Sequence, residues 1–491
     1  MGTRSIIVKN ISANMLLQII TAVGGFILPP LIVMTYGSAT NGMLASIKQF
    51  IAYLTLLEAG IGAASIVALY QALAKQDRPL RNRILAATHH FYRISGSLFA
   101  VGLLILAALF AWLTHAELSP QLTFWMVLVM GSVNILDFFF FGTYRALLTA
   151  DQKTYVISAV QAAAIVLNVA VSYILIKSGY SILVVQIASS AILISKFAIF
   201  SAYVRHHYTN LHLHYEPAHA FKLEQTWDAL THQLCALVIF SSPLVLITIF
   251  LSLKDASIYA IYALVFAAIK LALQSLSQGM QAVFGHTLNT DADLARYHFW
   301  RYERAFVCFL GWTYACTALL FMPFITLYTQ HMHDADYHQP LLAMLFLLVG
   351  VVENIRIPSV TMIMAAGRYK ATRPQALLEA TLNLVCAIAF IQWWGLPGLL
   401  LGALLSFLYR SNEMLHYNAK YILHLPLWRS YALAGMVIGV LAACVWLARP
   451  LVNQFAVPDF VHWVALGAIT ATCLALPFVF IFWFTSRWRT A

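Results

Sequence analysis

Ala365-Ala366-Gly367-Arg368-Tyr369-Lys370, followed by Leu382-Asn383, Trp394-Gly395-Leu396-Pro397-Gly398 and Leu401-Gly402-Ala403, decides the fold. It reads as a short basic turn, an apolar helix with one Asn, a tight Gly/Pro turn and the small-residue start of another helix. A weaker copy lies upstream: Ala150-Asp151-Gln152-Lys153, then Leu167-Asn168, then Ser178-Gly179-Tyr180-Ser181. Asn168 and Asn383 are 215 positions apart. A helical hairpin that occurs twice implies two similar halves, and internal repeats in a membrane chain point to a transporter.

The membrane is implied by composition. Of 491 residues, 62% are hydrophobic and 10% charged, against roughly 25% charged in a soluble chain. Such a chain cannot cover its surface with charge, so lipid is its solvent. The net charge of +11 is read as a topology signal and not as a nucleic-acid footprint. The six cysteines form no C-x-x-C pair and fall inside apolar runs; they read as small helix residues. Arg4 and Lys9 precede an apolar run over 11–35, too long for a signal-peptide core, so it reads as a retained first span.

A spanning helix needs about 20 mostly apolar residues. Fourteen such spans are expected, an all-α polytopic membrane protein. Six lie near 11–35, 43–69, 84–113, 121–145, 155–176 and 181–204. Six more lie near 228–253, 257–286, 304–328, 340–366, 373–394 and 396–421, and two near 427–450 and 460–485. With the N-terminus inside, inner loops hold 20 Lys and Arg and outer loops hold Lys177, Lys254 and Arg449. That asymmetry puts both termini on the cytoplasmic side. The expected organisation is a six-helix lobe over 1–204, a cytoplasmic linker over 205–227, a second lobe over 228–421 and a peripheral helix pair over 422–491. The linker reads equally as plain loop or as an interfacial segment. Pro29-Pro30 and Pro243 kink the first helix of each half; each kink is as readily static as part of a moving helix.

No catalytic motif is present, and no cofactor is expected. The His-rich stretch with His206, His207, His212, His214 and His219 reads as a solvated loop, and His331, His333 and His338 match no trusted metal spacing. The informative residues are charges inside spans, each costing a few kcal/mol unless paired or facing water. The cations are Lys48, Arg93, Lys196, Lys270, Arg356 and Arg410, candidates for an anion-binding cavity. The acids are Glu58, Asp137, Glu353, Glu379 and Glu413; of these Asp137, Glu58 and Glu353 are the ion-coupling candidates. Glu353 with Arg356, and Arg410 with Glu413, have i,i+3 spacing that suits structural pairs. Arg93 and Lys270 fall near mid-span, with anion contact or pairing to Asp137 or Glu58 both open; Lys196 sits nearer the cytoplasmic end and can snorkel. The run Phe138 to Phe141 reads as packing more than as a sugar platform.

These residues resemble the polysaccharide-transport branch of the multidrug/oligosaccharidyl-lipid/polysaccharide exporter superfamily, which includes the Wzx-type O-antigen flippases. The matching positions are Asn14, Gln18, Tyr36-Gly37, Gly42, Gln49-Phe50, Leu57, Gly60 and Gly62. In the second half they are Asp255 to Tyr259, Ala366 to Lys370, Asn383 and Gly395 to Gly402. The resemblance covers about the first 420 residues and rests on the order of individually weak motifs. It implies two six-helix lobes around a central cavity plus a peripheral pair. It also implies movement of polyprenyl-pyrophosphate-linked oligosaccharide from the inner to the outer leaflet of a bacterial cytoplasmic membrane. A glycan polymerase and chain-length machinery are the further partners it implies. The alternatives are a cation-coupled multidrug exporter, a peptidoglycan-precursor flippase, and a membrane polysaccharide polymerase or ligase, the last disfavoured by short outer loops.

Overall fold

The computed structural model describes residues 3–58, 61–208, 211, 213, 227–368 and 370–486. Gly60, His212, His214, His219, Lys222, Tyr369, Arg487 and Arg489, with most of the 205–227 linker, lie outside the described residues. Within them the chain is helical and has no strand. The helices are α1 (Thr3–Tyr36), α2 (Ser38–Leu54), α3 (Ile61–Ala74), α4 (Arg78–Leu113), α5 (Pro120–Leu136), α6 (Gly142–Ala150), α7 (Thr154–Lys177) and α8 (Ile182–His207). They continue as α9 (Trp227–Phe250), α10 (Leu253–Thr290), α11 (Ala292–Tyr328), α12 (Pro340–Asn354), α13 (Ile357–Ala365), α14 (Arg373–Tyr417), α15 (Leu427–Val452) and α16 (Phe460–Thr485).

Among the described residues, 12 helical stretches are long and apolar enough to cross a membrane. Two irregular segments reconcile that number with the 14 expected. Ser38–Glu58 and Gly62–Ala74 form one further span, bent by 45°. Lys370–Leu423, 54 residues, is a hairpin and not a single span. Gly395, at φ 59° and ψ −136°, leaves the helical region, a conformation glycine reaches without a Cβ penalty. On a straight helix Asn383 and Ser406 would be ~34 Å apart, yet Asn383 Nδ2 donates to Ser406 Oγ at 2.9 Å. Glu379 and Arg410 also meet, and both pairs are centred on the Trp394–Gly395 peptide.

The arms of α14 touch closely. A Cβ on Gly398 would lie 2.0 Å from the Phe390 carbonyl oxygen, a backbone atom that cannot swing aside. Gly398→Ala is therefore expected to cost about 1–3 kcal/mol, read as a lower melting midpoint of the purified protein. Gly439→Ala, where a Cβ meets nothing within 4 Å, is the control and is expected to be neutral. Equal midpoints for the two variants would contradict the close approach.

The repeat is visible in the backbone. After α6, Gln152 N–H donates to Thr149 O at 3.1 Å and Lys153 N–H to Leu148 O at 2.8 Å. After α13, Gly367 N–H donates to Met364 O at 3.1 Å and Arg368 N–H to Ile363 O at 3.2 Å. Each pair is a Schellman termination, and the two are offset by 215 residues. Gln152 and Gly367 both have positive φ, 57° and 65°.

Two compact units part after Ser257. In the first, α1 packs on α7, α4 on α5, α5 on α8, and α2 on α9. Thr248 Oγ1 donates to Ser46 Oγ at 2.6 Å, Asn41 Nδ2 to Ser257 Oγ at 2.7 Å, and Glu117 accepts the Leu253 N–H at 2.9 Å. These bonds hold α9 and the first turn of α10 in that unit. Phe138 and Phe141 pack inward, Phe141 stacking on Phe200 at 4.2 Å, while Phe140 faces out. In the second unit, α11 packs on α12, α15 and α16, around Trp300, Val307, Leu433, Val437 and Phe478. The lobes at 1–204 and 228–421 remain a proposal about the repeat.

Candidate functional site: charged clusters at helix breaks

Intramembrane charge gathers where helices are interrupted. In the first unit, a 3-10 turn over Thr55–Glu58 ends α2, and a π segment over Asp137–Phe141 joins α5 to α6. π segments inside α-helices are frequent at functional sites. Glu58 and Asp137 sit at these irregularities and share one cation, Arg145 of α6. Arg145 Nη2 donates to Glu58 Oε1, and Arg145 Nη1 lies 3.3 Å from Asp137 Oδ2. The buried Tyr92 hydroxyl donates to Glu58 Oε1 at 3.0 Å. Lys196 places its Nζ 5.1 Å from the Phe197 ring centre, and its charge acts on Asp137.

The second cluster joins α12, the turn before α13, and both arms of α14. Lys270 Nζ donates to Glu353 Oε1 at 2.5 Å. Arg356 Nη1 donates to Glu379 Oε1 at 2.5 Å and stacks over Phe407. Arg410, only 2% exposed, lies with Nε 3.3 Å from Glu379 Oε2 and donates from Nη1 to Glu413 Oε2 at 2.5 Å. Ser411 Oγ bonds the Val352 carbonyl at 2.7 Å, fastening α14 to α12.

Two expectations need correction. Arg145, counted from the sequence among the inner-loop cations, is helical, on α6, and is the partner of Glu58 and Asp137; the helix continues to Ala150. Glu353 and Arg356 do not form the i,i+3 pair, because α12 stops at Asn354 and each residue bonds a different helix. Arg93 lies on the 36-residue α4, about 20 residues from its Leu113 end. The Arg410–Glu413 pair is present as expected. Lys48 on α2 is exposed.

Sequence reading missed Arg145, Tyr92 and the bridging position of Glu379. It also missed Glu303, which is buried on α11 and accepts from Ser430 Oγ at 3.0 Å. One signal was available. Asp137 and Glu353 are 216 positions apart, as are Gly179 and Gly395, so the repeat places an acid beside the helix break in each half.

The two clusters differ in charge. Glu58 and Asp137 share one guanidinium by direct contact, and Lys196 acts on Asp137 from farther off. Arg356 and Arg410 balance Glu379 and Glu413, and Lys270 balances Glu353. A balanced, buried network is suited to holding helices together more than to gripping a free anion.

No family model and no curated protein matches the chain. Solved structures do. The lipid II flippase MurJ, in an inward closed conformation, aligns with a TM-score of 0.67 at 15% identity, over 96% of this chain and 99% of that one. A multidrug resistance MATE family transporter of the MOP superfamily, inward-facing, aligns with a TM-score of 0.62 at 12% identity, over 87% and 99%. A variant of the Vibrio cholerae MATE transporter VcmN aligns with a TM-score of 0.55 at 15% identity, over 87% and 99%.

The chain has the fold of these membrane proteins. At such identities the likeness carries architecture alone. The match with the flippase takes in nearly all of both chains. The transporters leave a share of this chain uncovered that is of the order of one helical hairpin such as α15–α16.

Proposed function

We propose that this chain is a flippase for polyprenyl-pyrophosphate-linked oligosaccharide, working by alternating access in a bacterial inner membrane with both termini cytoplasmic. The observation that carries the reading is the near-complete two-way match to a lipid II flippase, 96% and 99%. The physical support is charge. A lipid pyrophosphate is anionic, and Lys48, Arg93 and Lys196 have no carboxylate within ion-pair distance among the described residues. Lys270, Arg356 and Arg410, also proposed from sequence, would reach cargo only by leaving carboxylate partners. Asp137 and Glu58, which share a single directly bonded guanidinium, are the ion-coupling candidates, with Glu353 as their counterpart in the second half. A surface-polysaccharide repeat unit is the first cargo reading, with glycan polymerase as a downstream partner. A peptidoglycan precursor is the second, favoured by the name of that matching flippase.

Deletion in a strain without a redundant flippase is expected to leave lipid-linked saccharide on the cytoplasmic leaflet, measured by probe accessibility in spheroplasts. Undiminished appearance on the outer leaflet would sink the reading. Rescue of a strain depleted of its peptidoglycan-precursor flippase would select the second cargo. Lys48→Ala is expected to lower transport about tenfold at unchanged protein level, the worth of a charge-assisted hydrogen bond. Unchanged transport removes Lys48 from the cargo path.

A further inference from the structure

A cavity of about 690 Å³ is bounded by α4, α5, α6 and α8 in the first unit. Its polar lining includes His89, Arg93, Thr143, Ser195, Ser201 and Arg205. Its apolar lining includes Phe139, Phe140 and Ile194. Phe140 is 60% exposed.

Helix lengths place this cavity in the bilayer. Each bounding helix has one end in the short turns at Leu113, Pro120 and Ile182. Hydrocarbon is crossed in about 20 residues. Counting inward from those ends reaches Arg93 on α4, Phe139 and Phe140 on the α5–α6 span, and Ser201 on α8. Three helices thus agree that the cavity lies at the headgroup boundary, on the side carrying Lys75, Arg78, Arg81 and Arg83. By the same count Ile194 lies toward the hydrocarbon, and His89 and Arg205 toward water.

Two further observations point to a ligand. Neither Arg93 nor Arg205 is paired with a carboxylate among the described residues, though both stand at the edge of hydrocarbon. The Thr143 side-chain hydroxyl is buried, the residue only 2% exposed, and it has no hydrogen-bond partner. A buried hydroxyl without a partner is costly, and Thr143 lines the cavity.

We propose that this cavity binds one anionic glycerophospholipid from the Lys/Arg-rich leaflet. Its phosphate lies between Arg93 and Arg205, its glycerol region meets Thr143 and Ser201, and its chains run along Phe139, Phe140 and Ile194. Basic pockets between spanning helices are suited to anionic headgroups. The volume fits a headgroup with the upper part of its chains, being within the roughly 300–1,000 Å³ usual for ligand pockets. This site does not depend on the flippase reading.

The test uses the full chain, purified in detergent, stripped of lipid and titrated with phosphatidylglycerol, phosphatidylcholine or inorganic phosphate under native mass spectrometry. The tightest phosphatidylglycerol adduct is expected to form about thirtyfold more readily than the phosphatidylcholine adduct, the effect of two cations near a headgroup. Arg93→Gln with Arg205→Gln is expected to abolish that preference, and Lys75→Gln with Arg83→Gln to leave it intact. Ala198→Trp fills the cavity with every charge retained and is expected to remove the adduct. Parent-like binding by either cavity variant overturns the proposal. So does equal weakening by the Lys75/Arg83 pair, or displacement of the lipid by equimolar phosphate, which would mark a free-anion site. If the Arg93/Arg205 variant does not fold, Ala198→Trp decides the matter.

Discussion

Glu379→Gln is expected to lower stability by about 3–5 kcal/mol, the cost of stripping the partner from buried charge. Glu379 is 6% exposed and lies between Arg356 and Arg410. The substitution keeps the shape of the side chain and removes its charge. Arg356 would then lose its carboxylate, and Arg410, on a side chain 2% exposed, would keep only Glu413. Burial forbids water from taking over the lost role. Melting of the purified protein, followed by hydrogen exchange, measures the effect. Exchange is expected to rise most in the second arm of α14, which Glu379 ties to the first through Arg410. Pairing the change with Arg356→Gln restores charge balance and is expected to recover much of the loss, a coupling that a double-mutant cycle reads directly. A parent-like midpoint for Glu379→Gln would show that the network does not hold the hairpin.

Arg145→Gln is expected to have an effect of similar size, about 3–5 kcal/mol, at the other cluster. Glu58 and Asp137 come from different spans and have this guanidinium between them. Without it two carboxylates face one another with no guanidinium between them. Removing one of them as well, in Arg145→Gln with Asp137→Asn, is expected to restore a large part of the midpoint. The single variant is also expected to lose transport, since the break between α2 and α3 and the π segment would no longer be joined through charge. If Arg145→Gln melts with the parent and transports normally, the cluster is neither a structural tie nor part of the ion path.

Much of the fold was legible because lipid imposes a strict rule. Backbone groups in hydrocarbon must bond within their own segment, so apolar runs of sufficient length become helices. That is why all 14 expected spans correspond to helical segments, including the turn at Gly395. The repeat was legible for a related reason. Turn chemistry at Gln152 and Gly367, and at Gly179 and Gly395, recurs at nearly constant offset. The charged residues were legible as a set, since each is conspicuous in an apolar run. Their partners were not. Spacing along the chain suggested Glu353 with Arg356, but the helix ends between them. Arg145 looked like a loop cation because a cation near the end of an apolar run is ordinarily topology signal.

By itself, then, the sequence determined an all-helical membrane chain with turn motifs that recur at nearly constant offset and with charge kept inside its apolar runs. Local pattern is enough for that, because helix formation in lipid is decided segment by segment. Only the tertiary structure decided which carboxylate each cation meets, and that Glu58 and Asp137 share one guanidinium while Glu379 bridges two. It also decided how the hairpin opening at Gly367 works. Its Asn383 bonds Ser406 across the fold at Gly395. Such pairings depend on where helices break and how they cross, and those are set by contacts between segments far apart in the chain.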